Sequence, residues 1–282
     1  MLNNEIRNNR YGEERALYNT VDTRIVDCVF SGPEDGESAL KESRNIEVEK
    51  CTFELRYPLW HITGFKVNNS SFSETCRAPL WYCKDGRLDN INIKGVKAFR
   101  ECSNISIDNS NINSEEFCWK CENIDVKNTN IETFYFGLES KNVNFDKVNL
   151  KSKYAFQYAN DSKIDDSNLE TKDCFWHTNN VTIKNSTIKG EYLGWYSNNL
   201  TLINCKIIGT QPFCYCNNLK LIDCELVDCD LAFEYSSVEA DLKGHVVSIK
   251  NPLSGYINVD TVGEIILNHS VYKSECKINL KK

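Results

Sequence analysis

The chain has 282 residues with a formal net charge of −7, from 33 basic and 40 acidic side chains. That balance, with no basic cluster, disfavours non-specific nucleic-acid binding, which depends on cationic contacts to phosphates. The start, Met1 to Arg10, is polar and charged, without the apolar core of a secretory signal, and no apolar run approaches a membrane span. A cytoplasmic protein is therefore expected.

Residues 1–22 read as an N-terminal cap, polar until Ala16-Leu17. A first coil can be traced at Ile25, Cys28 and Phe30, followed by an insertion through Gly32-Pro33 and Gly36. Then a strict period begins. Ile46, Phe65, Gly86, Ile105, Ile124, Val143, Ser162, Val181, Leu200 and Leu219 open successive segments 19 residues apart, with one interval of 21 between Phe65 and Gly86. A fixed period of this length means stacked units, none of which can bury its apolar face alone.

Numbering each segment from its opening residue as position 0, positions 0 and 2 are apolar, as in Ile105/Ile107 and Leu200/Leu202. That alternation marks a half-buried strand. Position 5 is small (Cys51, Ser70, Ser110, Thr129, Ser186) and position 7 is apolar again (Phe53, Ile93, Ile131, Leu169). A third apolar stretch covers positions 12–16. Three short strands per repeat predict an all-β fold, a single-stranded right-handed parallel β-helix of about 12 coils. Asn and Asp concentrate just before position 0 (Asn45, Asp85, Asn104, Asn123) and at position 4 (Asn69, Asn90, Asn109, Asn128). Both residues tolerate the left-handed backbone region, so they suit repeated corners, and stacked amides can bond along a ladder. A left-handed β-helix, with six-residue subunits, and a leucine-rich repeat fit the spacing less well, and no 3.6-residue period supports helices. The regular coils are expected over residues 23–240. Beyond them, residues 241–282 read as irregular closing coils, the whole chain forming one domain.

Fourteen cysteines are present. Most fall on repeat rows otherwise held by Ser, Thr or Ala: Cys28, Cys51, Cys205 and Cys224 at position 5, and Cys83, Cys102, Cys121 and Cys216 at position 16. They are expected to be buried, reduced, small apolar residues. Cys118-Trp-Lys-Cys121 is a lone pair without a second one, so no metal site is assigned. No cofactor is expected.

The chemistry-bearing residues gather on one stretch. All five tryptophans, Trp60, Trp81, Trp119, Trp176 and Trp195, occupy position 14, together with Lys41 and Arg100. The preceding row is Leu- and Phe-rich. The following row reads Glu42, His61, Tyr82, Glu101, Lys120, Glu139, Tyr158, His177, Tyr196, Tyr215 and Glu234. Strict alternation would bury the Trp row along with Lys41 and Arg100, which is costly without partners. A bend beside position 14 would instead bury the Leu/Phe row and expose the Trp, Arg and Lys side chains. Under the second reading, Lys41, Glu42, Trp60, Trp81, Arg100, Glu101, Trp119, Trp176 and Trp195 form a ligand-binding ladder suited to a glycan or small molecule. At its centre, Trp81 and Trp119 would bracket a ring whose polar edge Arg100 and Glu101 bind. Glu101, Glu139 and Glu234 are the candidates for acid–base glycoside chemistry, although no spacing identifies a pair. Whether the chain is an enzyme is left open. A protein-interaction scaffold and a self-associating structural rod are the alternatives, and nothing fixes the oligomeric state.

The segments Gly12-Glu-Glu-Arg-Ala-Leu-Tyr18, Gly36-Glu-Ser-Ala-Leu-Lys-Glu-Ser43, Tyr57-Pro-Leu-Trp60, Glu191-Tyr-Leu-Gly-Trp195, Leu231-Ala-Phe-Glu-Tyr-Ser236 and Lys250-Asn-Pro-Leu-Ser-Gly255 resemble the bacterial domain-of-unknown-function family 3737. The resemblance keeps motif order over nearly the whole chain. It implies a right-handed parallel β-helix of the pectin-lyase-like superfamily and supplies no reaction. The chain matches neither the calcium-binding aspartate cluster of pectate lyases nor the aspartate constellation of polygalacturonases.

Overall fold

A computed structural model describes residues 2–33 and 36–281. The tip of the expected insertion, residues 34 and 35, lies outside the described residues. The fold is an all-β parallel β-solenoid of about 14 turns of about 19 residues. Among the described residues there is no helix, and so none long and apolar enough to cross a membrane. The chain divides into two compact units, residues 1–144 and 145–282.

In the first unit, the strands Asn4–Arg7, Val21–Val26, Arg44–Glu49, Thr63–Asn68, Lys84–Asp89, Ser103–Asp108 and Glu122–Lys127 pair in parallel, each with the next. The register sets Ile46 beside Phe65, Phe65 beside Gly86 and Gly86 beside Ile105, so the sequence period is the structural turn. A second side runs through Thr52–Phe53, Ser71–Phe72, Asn92–Lys94 and Asn111–Phe117. The third side holds only two-residue strands, Leu59–Trp60, Leu80–Trp81 and Phe99–Arg100.

The second unit repeats the plan. Lys163–Asp165, Thr182–Lys184, Thr201–Ile203 and Leu219–Val227 pair on one side, and Asn168–Glu170, Thr187–Lys189 and Lys206–Ile208 on another, while the third side is turns.

Two more turns are present than the sequence period suggests. Asn4–Arg7, inside the expected cap, pairs with Val21–Val26. Beyond residue 240, Ser254–Val259 pairs with Ser237–Lys243 and in turn with Lys277–Leu280. These outer turns lack the Asn corners and keep other spacings, which hides them from a 19-residue count.

The interior is built from stacked identical positions. Phe30, Phe53 and Phe72 at position 7 stack with centroids 4.7 and 4.8 Å apart and planes within 9°. Gly86 sits in the position-0 row because the Phe65 ring fills its side-chain space: a Cβ there would lie 2.1 Å from Phe65 Cζ.

The position-5 row explains the exchange of Cys with Ser and Thr. Ser70 Oγ donates to Asn68 O at 2.7 Å, Ser110 Oγ to Asp108 O at 2.6 Å and Thr129 Oγ1 to Lys127 O at 2.6 Å. Cys51 and Cys205 make the same contact through sulfur, at 3.3 Å each. A small donor is required there, and thiol or hydroxyl serves. All fourteen cysteines are free, and all but the half-buried Cys276 are buried.

The corners carry left-handed backbone at the expected residues, with φ of 50° at Asn45, 57° at Asn104, 57° at Asn123, 50° at Asn69 and 49° at Asn109. Their amides form ladders of one direction. Nδ2 of Asn104, Asn123 and Asn142 donates to Oδ1 of Asp85, Asn104 and Asn123 at 2.8, 2.9 and 2.8 Å. In the second unit Asn180, Asn199 and Asn218 donate in the same sense, starting from Asp161.

Candidate functional site

The third corner is where the sequence pattern was ambiguous, and it bends. Phe175 and Thr178 are buried, while Trp176 between them is half-buried and His177 exposed. Two consecutive residues therefore point away from the core. Position 15 makes this possible by adopting left-handed backbone in every turn: φ is 57° at His61, 53° at Glu101, 57° at Tyr158, 54° at His177 and 59° at Tyr196. The Leu/Phe row (Leu59, Leu80, Phe99, Phe156, Phe213) is buried, and the Trp, Arg and Lys row lies outside it, half-buried.

In the first unit the position-14 side chains meet as the repeat predicts. Lys41 Nζ lies 4.1 Å from the Trp60 ring centroid, Trp60 stacks on Trp81 at 5.8 Å, and the Arg100 guanidinium lies 5.0 Å from the Trp119 ring. Trp81, Arg100 and Trp119 occupy consecutive turns in register. This is a stack of cations on indoles, and it is closed. A ring intercalated between two others needs about 7 Å between them, twice the contact distance of carbon atoms. Trp60 and Trp81 stand closer than that, and between Trp81 and Trp119 the turn is held by Arg100 itself, which also pairs with Glu116 at 3.4 Å. The buried Nε1 atoms of Trp60, Trp81 and Trp119 have no acceptor.

The carboxylate candidates do not converge. Glu42 is half-buried and Glu101 exposed. Glu139 pairs with Lys120 at 3.7 Å, and Lys120 stands on the turn between Glu101 and Glu139. A cation there favours the ionised form of both, the opposite of what a glycosidase acid requires. Glu234 belongs to the second unit and pairs with Lys250 at 2.9 Å. Among the described residues, no group of three or more His, Cys, Asp or Glu is placed to hold a metal.

The second unit is organised differently. Its indoles, Trp176 and Trp195, stack at 5.5 Å with planes within 6°, and their Nε1 atoms donate to Tyr192 O at 2.6 Å and Gln211 O at 2.8 Å. Beside them runs a ladder of five rings at position 15. Tyr158 and His177 are 4.9 Å apart at 3°, His177 and Tyr196 4.9 Å at 6°, Tyr196 and Tyr215 4.7 Å at 8°, and Tyr215 and Tyr235 5.8 Å at 51°. Tyr235, not Glu234, closes this row, because one extra residue separates it from Tyr215. Tyr158 is 50% and Tyr196 42% exposed. Since ring faces lie against ring faces, what reaches solvent is ring edge.

Sequence reading placed these residues on the outer ladder but chose the Trp row for the site. The missed signal is the absence of Asn, Asp and Gly from a left-handed corner row. Bulky residues there strain the backbone by roughly 1 kcal/mol each, and such outliers cluster where side-chain identity matters.

Over residues 4–279 the chain matches the family described as "Protein of unknown function (DUF3737)". A search among curated proteins finds no match. Among solved structures, the chain is similar to HetL, a pentapeptide repeat protein involved in heterocyst differentiation regulation from the cyanobacterium Nostoc sp. strain PCC 7120. The identity is 11%, with 83% of this chain and 86% of that chain covered and a TM-score of 0.23. It is also similar to a trypsin-treated variant of QnrB1, a plasmid-mediated fluoroquinolone resistance protein. There the identity is 12%, with 72% of this chain and 81% of that chain covered and a TM-score of 0.13.

Proposed function

This chain belongs to the DUF3737 family, and from that premise we propose that it acts as a non-catalytic protein-interaction scaffold whose contact surface is the aromatic corner of residues 145–282. The observation that carries this reading is the ring ladder Tyr158–His177–Tyr196–Tyr215–Tyr235, stacked face to face with its edges outward. Sugar recognition by stacking needs open ring faces, and these are covered. Exposed, rigid Tyr and Trp edges with polar tips are the composition of protein-contact hot spots. Rigidity also lowers the ordering entropy lost on binding. A reducing, cytoplasmic setting suits fourteen free thiols.

The test is a photoreactive phenylalanine analogue placed at Tyr196 and, as a control on another side of the solenoid, at Thr187, with irradiation in living cells. Covalent protein adducts specific to position 196 are the expected result. If position 196 yields none, while a glycan array gives binding that Tyr196→Ala abolishes, the carbohydrate reading replaces this one.

A further inference from the structure

We propose that the segment docking on this corner is a proline-rich peptide in the polyproline II conformation. This rests on the scaffold reading above and names the chemistry of its partner.

The argument begins with length scales. Consecutive rings from Tyr158 to Tyr215 are separated by 4.7–4.9 Å, the spacing of neighbouring strands. Alternate rings therefore stand about 9.6 Å apart. A polyproline II helix rises about 3.1 Å per residue with three residues per turn, so its side chains repeat every ~9.3 Å. Over four ring intervals the two lattices drift apart by only about 0.6 Å. An α-helix repeats every ~5.4 Å and drifts by over 2 Å across the same span. An extended strand repeats every ~6.7 Å and stays out of step with the rings throughout. Of the three regular conformations, polyproline II alone lets every turn of the peptide meet an equivalent pair of ring edges.

Hydrogen bonding points the same way. A polyproline II backbone has no internal hydrogen bonds, and its carbonyls seek donors from outside. The corner offers them at the same pitch. Asn179, Asn198 and Asn217, two residues beyond the rings in each turn, form an exposed row in parallel register. Asn198 Oδ1 accepts from Asn217 Nδ2 at 3.3 Å, which leaves the Asn198 amide N–H groups facing out. Aromatic edges beside amide donors are what a proline-rich segment requires, and a chain already stiff before binding loses little entropy.

The experiment measures binding of acetylated oligoprolines of 3, 6, 9 and 12 residues to the full chain by fluorescence anisotropy. A Gly-Ser peptide, an Ala-rich helical peptide and an alternating Thr-Val peptide, each of nine residues, are the controls. The five rings span about 20 Å, enough for six or seven residues at polyproline II rise. Affinity is expected to rise at least tenfold from three to nine residues, then by less than twofold to twelve. Tyr196→Ala should weaken nonamer binding at least tenfold. Asn198→Asp, which keeps the acceptor for Asn217 and removes the donor without touching the stack, should weaken it at least threefold. Thr187→Ala should leave it unchanged. The inference is overturned if the helical or Thr-Val peptide binds as well as the nonamer, if affinity keeps climbing to twelve residues, or if no oligoproline binds. In the last case, protein adducts at position 196 would leave the scaffold reading standing, whereas their absence as well would remove both.

Discussion

Asn123 offers the sharpest test of what holds the turns together. Its Nδ2 donates to Asn104 Oδ1 at 2.9 Å, its Oδ1 accepts from Asn142 Nδ2 at 2.8 Å, and its φ is 57°. Asn123→Ala removes both hydrogen bonds, each contributing roughly 0.5–1 kcal/mol at an exposed site. It also puts a Cβ-bearing residue with no compensating polar group into left-handed backbone, at about 1 kcal/mol. The expected loss is about 2–3 kcal/mol. Asn123→Gly loses the same hydrogen bonds without the backbone strain, so about 1–2 kcal/mol is expected. Urea denaturation followed by far-UV circular dichroism measures both. Because each turn contacts only its neighbours, the loss should appear in the transition that includes residues 104–142. Equal losses for Ala and Gly would refute the backbone part of the argument. Losses below 0.5 kcal/mol for both would show that the amide ladder contributes nothing to stability.

Three further outcomes are expected. Gly86→Ala places a methyl 2.1 Å from the Phe65 ring and should destabilise by about 1–3 kcal/mol, with Phe65→Leu in the same chain recovering part of it in thermal melts. Tyr196→Ala removes two ring stacks of about 0.5–1.5 kcal/mol each, whereas Tyr196→Asn, better suited to φ of 59°, should be less damaging; a loss above 4 kcal/mol for either would mark the ring as core. Burial pushes the thiols of Cys51, Cys214 and Cys229 from 9.0 up to about 12. Between those values the unfolded chain releases protons that the native state keeps, so stability should fall as pH rises above 9 and be unaffected by these groups below it. Urea midpoints at pH 8, 9.5 and 10.5 test this, and Cys51→Ser should flatten the slope.

The parts of the fold written in backbone-specific residues were legible. Alternating Ile and Val gave the strands, and Asn at two fixed positions gave two corners, because few other residues tolerate that geometry. The third corner has the same left-handed geometry but carries Tyr, His, Glu and Lys, chosen for their side chains, so nothing in its composition announces a bend. The direction of the Trp row hung on that bend. Glu234 was placed where Tyr235 stands because counting by 19 cannot see a single inserted residue, while ring stacking reports it at once. The Arg100 and Trp119 adjacency followed from register alone. Their mutual stacking, which closes the gap intended for a ligand, depends on side-chain conformation that periodicity does not carry.

The amide ladders also impose a grammar on how such a chain can grow. Four of them open on an aspartate, at Asp22, Asp85, Asp161 and Asp241, and continue only with asparagine. Gly64, lacking a side chain, is the full stop after the ladder headed by Asp22, which is why the next begins afresh at Asp85. A carboxylate can only receive, so it fits where nothing precedes it, and an amide both receives and passes on. A duplicated turn bearing Asn can therefore be spliced in behind any head and extend the line. One bearing Asp, set mid-line, would bring its oxygen against that of the residue before it and break the sentence there. The aspartates are thus capital letters, marking where blocks of turns begin and where a longer or shorter version of this solenoid could be cut and rejoined.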